Sequence, residues 1–314
     1  MNKFKKIYYS PKKGFAFQKN IIFKKRRTSL FEKGQHENFL KKKPRIIVIT
    51  SGKGGVGKST VTANFGLSLC NLGYKVALID ADVGLRNLDL LLGLEHKIFY
   101  NVIDVLEGRC SFEKALLTDK RFKNLTFISL VRKKKRYPFT IKIMKNLLEA
   151  ISFFGFDFIL IDCPAGIDIG FINAISGANE AIVVTTPQIT SIRDADKVIN
   201  FLKLAGIYDY KILVNEIRPI YSLPYSWAGA KNKDLIPIRD IQQMLRAPII
   251  GAIPEDTDVL ISVNRGEPLV LEKNLSLAGL AFENAARYYL QKDNFLLDVE
   301  NFLFTSFYKL KYYL

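Results

Sequence analysis

The chain is poor in the side chains that build metal clusters, disulfides and charge-relay triads. It has three cysteines, Cys70, Cys110 and Cys163, and no two of them form a CxxC pair. That argues against a disulfide scaffold, a zinc ribbon and a paired-cysteine iron–sulfur carrier, and it suits a reducing compartment. The two histidines, His36 and His96, are isolated, which disfavours two-histidine metal chemistry and a serine–histidine triad. No run of 18 apolar residues occurs, so a spanning helix is not expected. Acidic residues are scarce at the start: residues 1–44 hold 14 Lys/Arg against Glu32 and Glu37. That stretch also lacks an apolar core of about 7–15 residues, so a secretory signal is not expected.

What is present is a nearly neutral body with basic additions. The net charge is +17 over 314 residues, of which residues 1–44 contribute +12 and Arg132–Arg136 another +5. Blocks of this kind are usually solvated, and less often a contact for nucleic acid or an anionic surface. Residues 1–44 read as a basic extension without stable structure, with a transit peptide as the alternative. The bias toward Lys, Asn, Ile, Phe and Tyr resembles an AT-rich genome such as an organellar one.

After Pro44 the pattern changes. Arg45–Thr50 is a β-branched run with the look of a buried strand. Glycines follow, then a helical pattern from Ser59 to Leu72 closed by Gly73. Lys75–Asp80, Phe158–Ile161, Ala181–Thr185, Lys211–Val214 and Pro248–Gly251 read as further strands, with helical patterns between them such as Ser191–Leu204 and Leu277–Leu290. This alternation predicts a single α/β domain over 45–290, with a mostly parallel sheet and helices on both faces. Ligands are then expected at the carboxyl ends of the strands. Ile220–Asp240, with Pro224, Gly229 and Pro237, reads as a loop over that edge.

The glycine loop is the strongest signal. Gly52-Lys53-Gly54-Gly55-Val56-Gly57-Lys58-Ser59 fits G-x-x-x-x-G-K-[ST] between a strand and a helix. Glycines let backbone N–H groups curl toward phosphate oxygens, and the helix N-terminus adds partial positive charge. Lys58 is expected to bridge the β- and γ-phosphates, Ser59 to hold Mg²⁺, and Thr60 to donate to the α-phosphate. Asp162 ends an apolar strand where a magnesium carboxylate belongs, and the Gly166 N–H is placed for the γ-phosphate. Asp80 and Asp82 end the second strand beside the loop and are candidates for orienting water. Lys53 has no obvious task inside one subunit.

These residues carry a resemblance. Lys53–Thr60 resembles the deviant Walker A loop of the ParA/MinD ATPase family. Asp80–Asp89 resembles the first switch of its division-site members, through Gly84-Leu85-Arg86-Asn87-Leu88-Asp89 in particular, and Asp162–Ile167 resembles the Walker B and second switch. Ile253–Asp256 and Asn264–Pro268 match later segments, so that the resemblance covers about residues 45–290. It implies an ATP hydrolase with ATP and Mg²⁺ as cofactors and a homodimer formed on ATP binding. Within that picture Lys53 reaches the partner's phosphates, Lys58 is the loop lysine, and Ser59 and Asp162 hold magnesium. Asp82 activates water with Asp80 beside it, and Asn215 contacts adenine.

The resemblance also implies MinC-like and MinE-like partners, a role in placing a division septum, and a peripheral membrane position. In a plastid that position is the stromal side of the inner envelope; the alternative is a bacterial cytoplasm and inner membrane. Residues 291–314 form an amphipathic C-terminal segment, with Phe302, Leu303, Phe307 and Leu310 as candidate membrane contacts and Leu296 on the same apolar side. Its four charges, Asp298, Glu300, Lys309 and Lys311, cancel, which departs from the basic anchor of the family. DNA is not an expected partner. A DNA-partition ATPase, a flagellar-number ATPase and a tyrosine autokinase remain alternatives.

Overall fold

The computed structural model describes residues 43–82, 87–130, 140–218, 236–293 and 296–297. Most of the basic extension, Gly84–Arg86 of the first switch, the run Arg132–Arg136 and Phe302, Leu303, Phe307 and Leu310 lie outside the described residues.

Eight strands form one sheet in the order β3-β4-β2-β5-β1-β6-β7-β8. The strands are β1 (Arg45–Thr50), β2 (Val76–Asp80), β3 (Leu117–Thr118), β4 (Leu125–Ser129), β5 (Phe158–Asp162), β6 (Glu180–Thr185), β7 (Asp209–Ile217) and β8 (Ile249–Pro254). All neighbours are parallel except β3, which runs antiparallel to β4 at the edge. β2, β4, β5, β6 and β8 are buried along their whole length. A strand covered on both faces has no solvent side, and that is why β2, β5 and β6 read as near-continuous apolar runs rather than alternating ones.

The helices follow the strands: α1 (Lys58–Asn71), α2 (Leu88–Leu91), α3 (Val102–Leu106), α4 (Ile141–Ser152), α5 (Ile169–Ile175), α6 (Ile189–Leu204), α7 (Ile238–Leu245), α8 (Thr257–Arg265) and α9 (Leu277–Tyr289). α1 is buried nearly all round, polar Thr62, Asn64 and Ser68 as well as Val61, Phe65, Leu67 and Leu69, because it is wedged between the sheet and α9. α4 shows the opposite pattern. Met144, Leu147, Leu148 and Ile151 make one buried stripe at i, i+3, i+4 and i+7, and Thr140 caps the Ile143 N–H.

The expected α/β architecture is the observed one. β4 was not expected: Leu125-Thr126-Phe127-Ile128-Ser129 is short, and two hydroxyl residues interrupt its apolar run. Residues 220–235 of the expected loop lie outside the described residues, and its last three, 238–240, belong to α7 instead. Pro237 opens α7 at Ile238, with a fixed φ of −62° that suits a helix start. α6 begins at Ile189, two residues before the expected start. At the other end Leu296, placed by sequence on a membrane-facing side, packs against the core instead. The N–H of Leu297, itself buried, donates to Asn284 Oδ1 at 2.8 Å.

Candidate functional site

β1 lies mid-sheet between β5 and β6, and its chain continues to β2 on the far side of β5. Such a reversal of strand order opens a crevice at the carboxyl edge. The glycine loop, residues 51–57, occupies it. The register sets Asp162 beside Ile49 of β1 on one side and beside Asp80 of β2 on the other. Loop, Asp162 and Asp80 therefore stand in a row, and the Ala81 N–H is locked to the Asp162 carbonyl at 2.9 Å.

The loop is exposed at its tip and buried at its base. Lys53, Gly54 and Gly55 face solvent, whereas Val56 and Lys58 are buried. Gly57 has φ +80°, and a Cβ there would stand 2.2 Å from Asn215 Nδ2. Only glycine both adopts that left-handed backbone and admits the amide. Asn215, from β7, donates through Nδ2 to the Val56 carbonyl at 2.9 Å and so pins the loop from behind. A Cβ on Gly52 would meet the Asp194 carbonyl of α6 at 2.3 Å, which fixes the loop's other shoulder. α1 starts directly after Gly57 with no side-chain cap, leaving its first N–H groups for an anion.

One cluster connects the loop to β5. Lys58 Nζ donates to Asp162 Oδ1 at 2.7 Å, and Ser59 Oγ donates to Asp162 Oδ2 at 2.6 Å. Thr62 Oγ1 lies 3.0 Å from the same Oδ1. The Asp162 side chain is 1% exposed, so these donors replace water entirely. Asp80 is also buried. Burial, then the neighbouring Asp162 carboxylate, pushes Asp80 well above the usual carboxylate range. Its Oδ1 accepts the Asp82 N–H at 3.0 Å, while its Oδ2 is buried without a hydrogen-bond partner. Asp82 itself is half-buried.

Lys58, Ser59, Asp80, Asp82, Asp162 and Asn215 are thus brought together with Gly52–Gly57. Lys53 stands apart: its Nζ reaches out to Gln188 Oε1 at 3.3 Å on the exposed rim. Thr60 is half-buried and its carbonyl accepts from Asn64. The Gly166 N–H, expected to face the γ-phosphate, is donated to the Ser51 carbonyl at 3.2 Å, so it must leave that bond to reach a phosphate.

The donor set fits magnesium. Ser59 Oγ and the Asp162 carboxylate are hard oxygen ligands in hydrogen-bond contact, the unpartnered Asp80 oxygen lies in the adjacent register position, and magnesium usually takes only one or two protein oxygens beside phosphates and water. The cysteines are unsuited to redox or cluster chemistry. All three are free, and burial pushes the Cys70 and Cys163 thiols up to about 12. Thr62, Gln188 and Asp194 escaped the sequence reading. Thr62 carried one usable signal, its place one helical turn after Lys58.

Comparison with known proteins gives consistent matches. The ParA family model, described as NUBPL iron-transfer P-loop NTPase, matches residues 42–289. A curated relative from Chlorella vulgaris, named for the septum site-determining protein MinD, is 53% identical over 86% of this chain and 93% of its own. The Arabidopsis thaliana septum site-determining protein minD homolog, described as chloroplastic, is 49% identical over 80% of this chain and 76% of its own. Among solved structures, the MinC:MinD cell division protein complex of Aquifex aeolicus matches with TM-score 0.70 and 43% identity, over 81% of this chain and 98% of that one. The septum site-determining protein MinD of Pyrococcus horikoshii, complexed with Mg-ADP, matches with TM-score 0.66 and 33% identity over 80% and 96%. A ParA family ATPase from Chlorobium tepidum and a putative plasmid partition protein from Borrelia burgdorferi are only 21% and 19% identical and share the fold.

Proposed function

The chain belongs to the ParA family of P-loop ATPases and, within it, to the MinD proteins, and from that membership we propose that it is the ATPase that places the division septum of a plastid. The observation that carries the reading at the site is the separation of two lysines in one loop. Lys58 is buried against Asp162, where it serves its own subunit, while Lys53 faces outward from the exposed rim. An outward lysine on a phosphate loop is suited to the nucleotide of a second copy.

The cycle then runs through the residues of this cluster. ATP displaces Lys58 from Asp162, and its Nζ moves to the β- and γ-phosphates while the first N–H groups of α1 hold phosphate oxygens. Asn215 keeps the loop in shape and offers its amide edge to adenine. Two copies close over their nucleotides, each supplying Lys53 to the other. Ser59 and Asp162 would hold magnesium, which would offset charge on the phosphates. Asp82 orients a water in line with the γ-phosphate; the water oxygen bonds to phosphorus, the β–γ bridge breaks, and ADP and phosphate leave. The dimer then opens. Removing magnesium with EDTA is expected to stop turnover.

The dimer is the form proposed to hold membrane, through Phe302, Leu303, Phe307 and Leu310 at the inner envelope of the plastid. Support for the compartment comes from the chloroplastic Arabidopsis relative, and for a MinC-like partner from the Aquifex complex. A MinE-like activator is proposed from family membership alone. The test is co-sedimentation of the full chain with anionic vesicles. ATP but not ADP is expected to carry it down, and Phe302→Glu with Leu310→Glu is expected to leave it in solution. Equal sedimentation with both nucleotides would overturn the cycle. Loss of vesicle binding together with tight, salt-dependent binding to duplex DNA would favour a partition role.

A further inference from the structure

The hydrogen bonds around Asp162 single out a residue beyond the loop motif. Resting on the site reading above, we propose that Thr62 is a positioning residue whose hydroxyl holds Asp162 Oδ1 while Lys58 is away on the nucleotide, and so keeps Oδ2 aimed at Ser59.

The argument is one of donors. Asp162 is walled off from water, so each oxygen depends on protein groups. Oδ2 has Ser59. Oδ1 has Lys58, at 2.7 Å, and nucleotide binding calls that lysine elsewhere. A buried carboxylate oxygen stripped of its cation is costly unless another donor remains. Thr62 Oγ1 is in place, 3.0 Å from Oδ1 and fully buried.

Its hydroxyl carries one proton, and it stands equally close to the Lys58 carbonyl at 3.0 Å. That carbonyl already accepts the helical N–H one turn on, from Thr62 itself. The proton is therefore better spent on the carboxylate once Lys58 has left. On the neighbouring strand, Asp80 supplies no second hydrogen bond to the Asp162 carboxylate: Asp80 Oδ1 accepts the Asp82 N–H, and Asp80 Oδ2 has no hydrogen-bond partner among the described residues. Without the hydroxyl, Asp162 would gain by turning Oδ2 away from Ser59 toward other donors, and the magnesium ligand pair would be lost. Thr62 therefore acts through Asp162, not on the phosphates.

The test compares full-length wild type with Thr62→Val, which keeps the volume and removes the hydroxyl, and Thr62→Ser, which keeps the hydroxyl. Binding of fluorescent ADP is titrated against magnesium and repeated in EDTA, and thermal melting without nucleotide checks folding. Thr62→Val is expected to raise the magnesium needed for half-maximal tightening by roughly tenfold or more, with ADP affinity in EDTA unchanged, and Thr62→Ser to behave as wild type. Should Thr62→Val melt early, Thr62→Ala is titrated in the same way. A wild-type magnesium titration in Thr62→Val overturns the proposal. So does an equal loss of affinity with and without magnesium, which marks a packing role. If magnesium fails to tighten ADP binding even in wild type, the site reading itself falls and this inference with it.

Discussion

Lys58 and Lys53 sit five residues apart in one loop, and their surroundings predict opposite consequences of removal. Lys58 is buried with its charge on a carboxylate that has no water. Lys58→Ala leaves that carboxylate to two hydroxyls, Ser59 and Thr62. Breaking a buried pair in this way costs about 3 kcal/mol or more. Lys53→Ala removes an exposed side chain and is expected to change stability by less than about 0.5 kcal/mol. Both variants should nonetheless lose turnover, Lys58→Ala because the phosphates lose their own-subunit cation and Lys53→Ala because the partner's nucleotide does. Urea unfolding without nucleotide, read beside phosphate release, checks the pair. Equal destabilisation by the two substitutions would contradict the geometry.

At the scale of elements, helix α9 is fastened by a polar staple at the amino ends of the strands. Arg45 of β1 donates through Nε to Glu180 Oε1 of β6 at 2.7 Å and through Nη2 to the Tyr289 hydroxyl of α9 at 2.6 Å. Tyr289 in turn donates to Glu180 Oε2 at 2.6 Å. Burial alone would raise the Glu180 pKa, but the bonds from Arg45 and Tyr289 outweigh it and hold the group below its ordinary 4.5. A depressed folded value means that the contribution is complete above about pH 4.5 and fades as the pH falls through the folded value. Glu180→Gln should therefore lower Tm at pH 7, and the gap to wild type should narrow below pH 4. A gap independent of pH would show that the staple is not ionic.

The elements also show what a sequence can and cannot disclose. β1, β5 and β6 were legible because their buried stretches are apolar almost throughout, and α1 because the glycine loop marks its start and Gly73 its end. The phosphate loop was legible because Gly57 and Lys58 answer to a ligand whose shape never changes. β4 was not, since Thr126 and Ser129 dilute its apolar run. Thr62, Gln188 and Asp194 were not, because their roles arise from contacts across 100 residues or more for Thr62 and Gln188, and from a backbone approach for Asp194. Leu296 was misread because an apolar residue near a chain end suits a lipid surface and a core equally well.

At the scale of the whole molecule, the order of strands does what no single residue does. It places β1 between two halves of the sheet and gathers the loop, Asp80, Asp82 and Asp162 on one edge. Charge is distributed unevenly along the sequence: residues 1–44 and 132–136 together account for the net +17. Two copies are proposed to complete one another's site, with Lys53 acting on the partner's nucleotide and Asp82 on its own. Mixing Lys53→Ala and Asp82→Ala proteins, each inactive alone, tests this directly by phosphate release with ATP and magnesium. In a mixed dimer the Lys53→Ala subunit keeps its Asp82 and receives Lys53 from its partner. An equal mixture is therefore expected to recover about a quarter of the wild-type rate, since half of the dimers are mixed and each has one complete site. A mixture as inactive as its components would contradict the account.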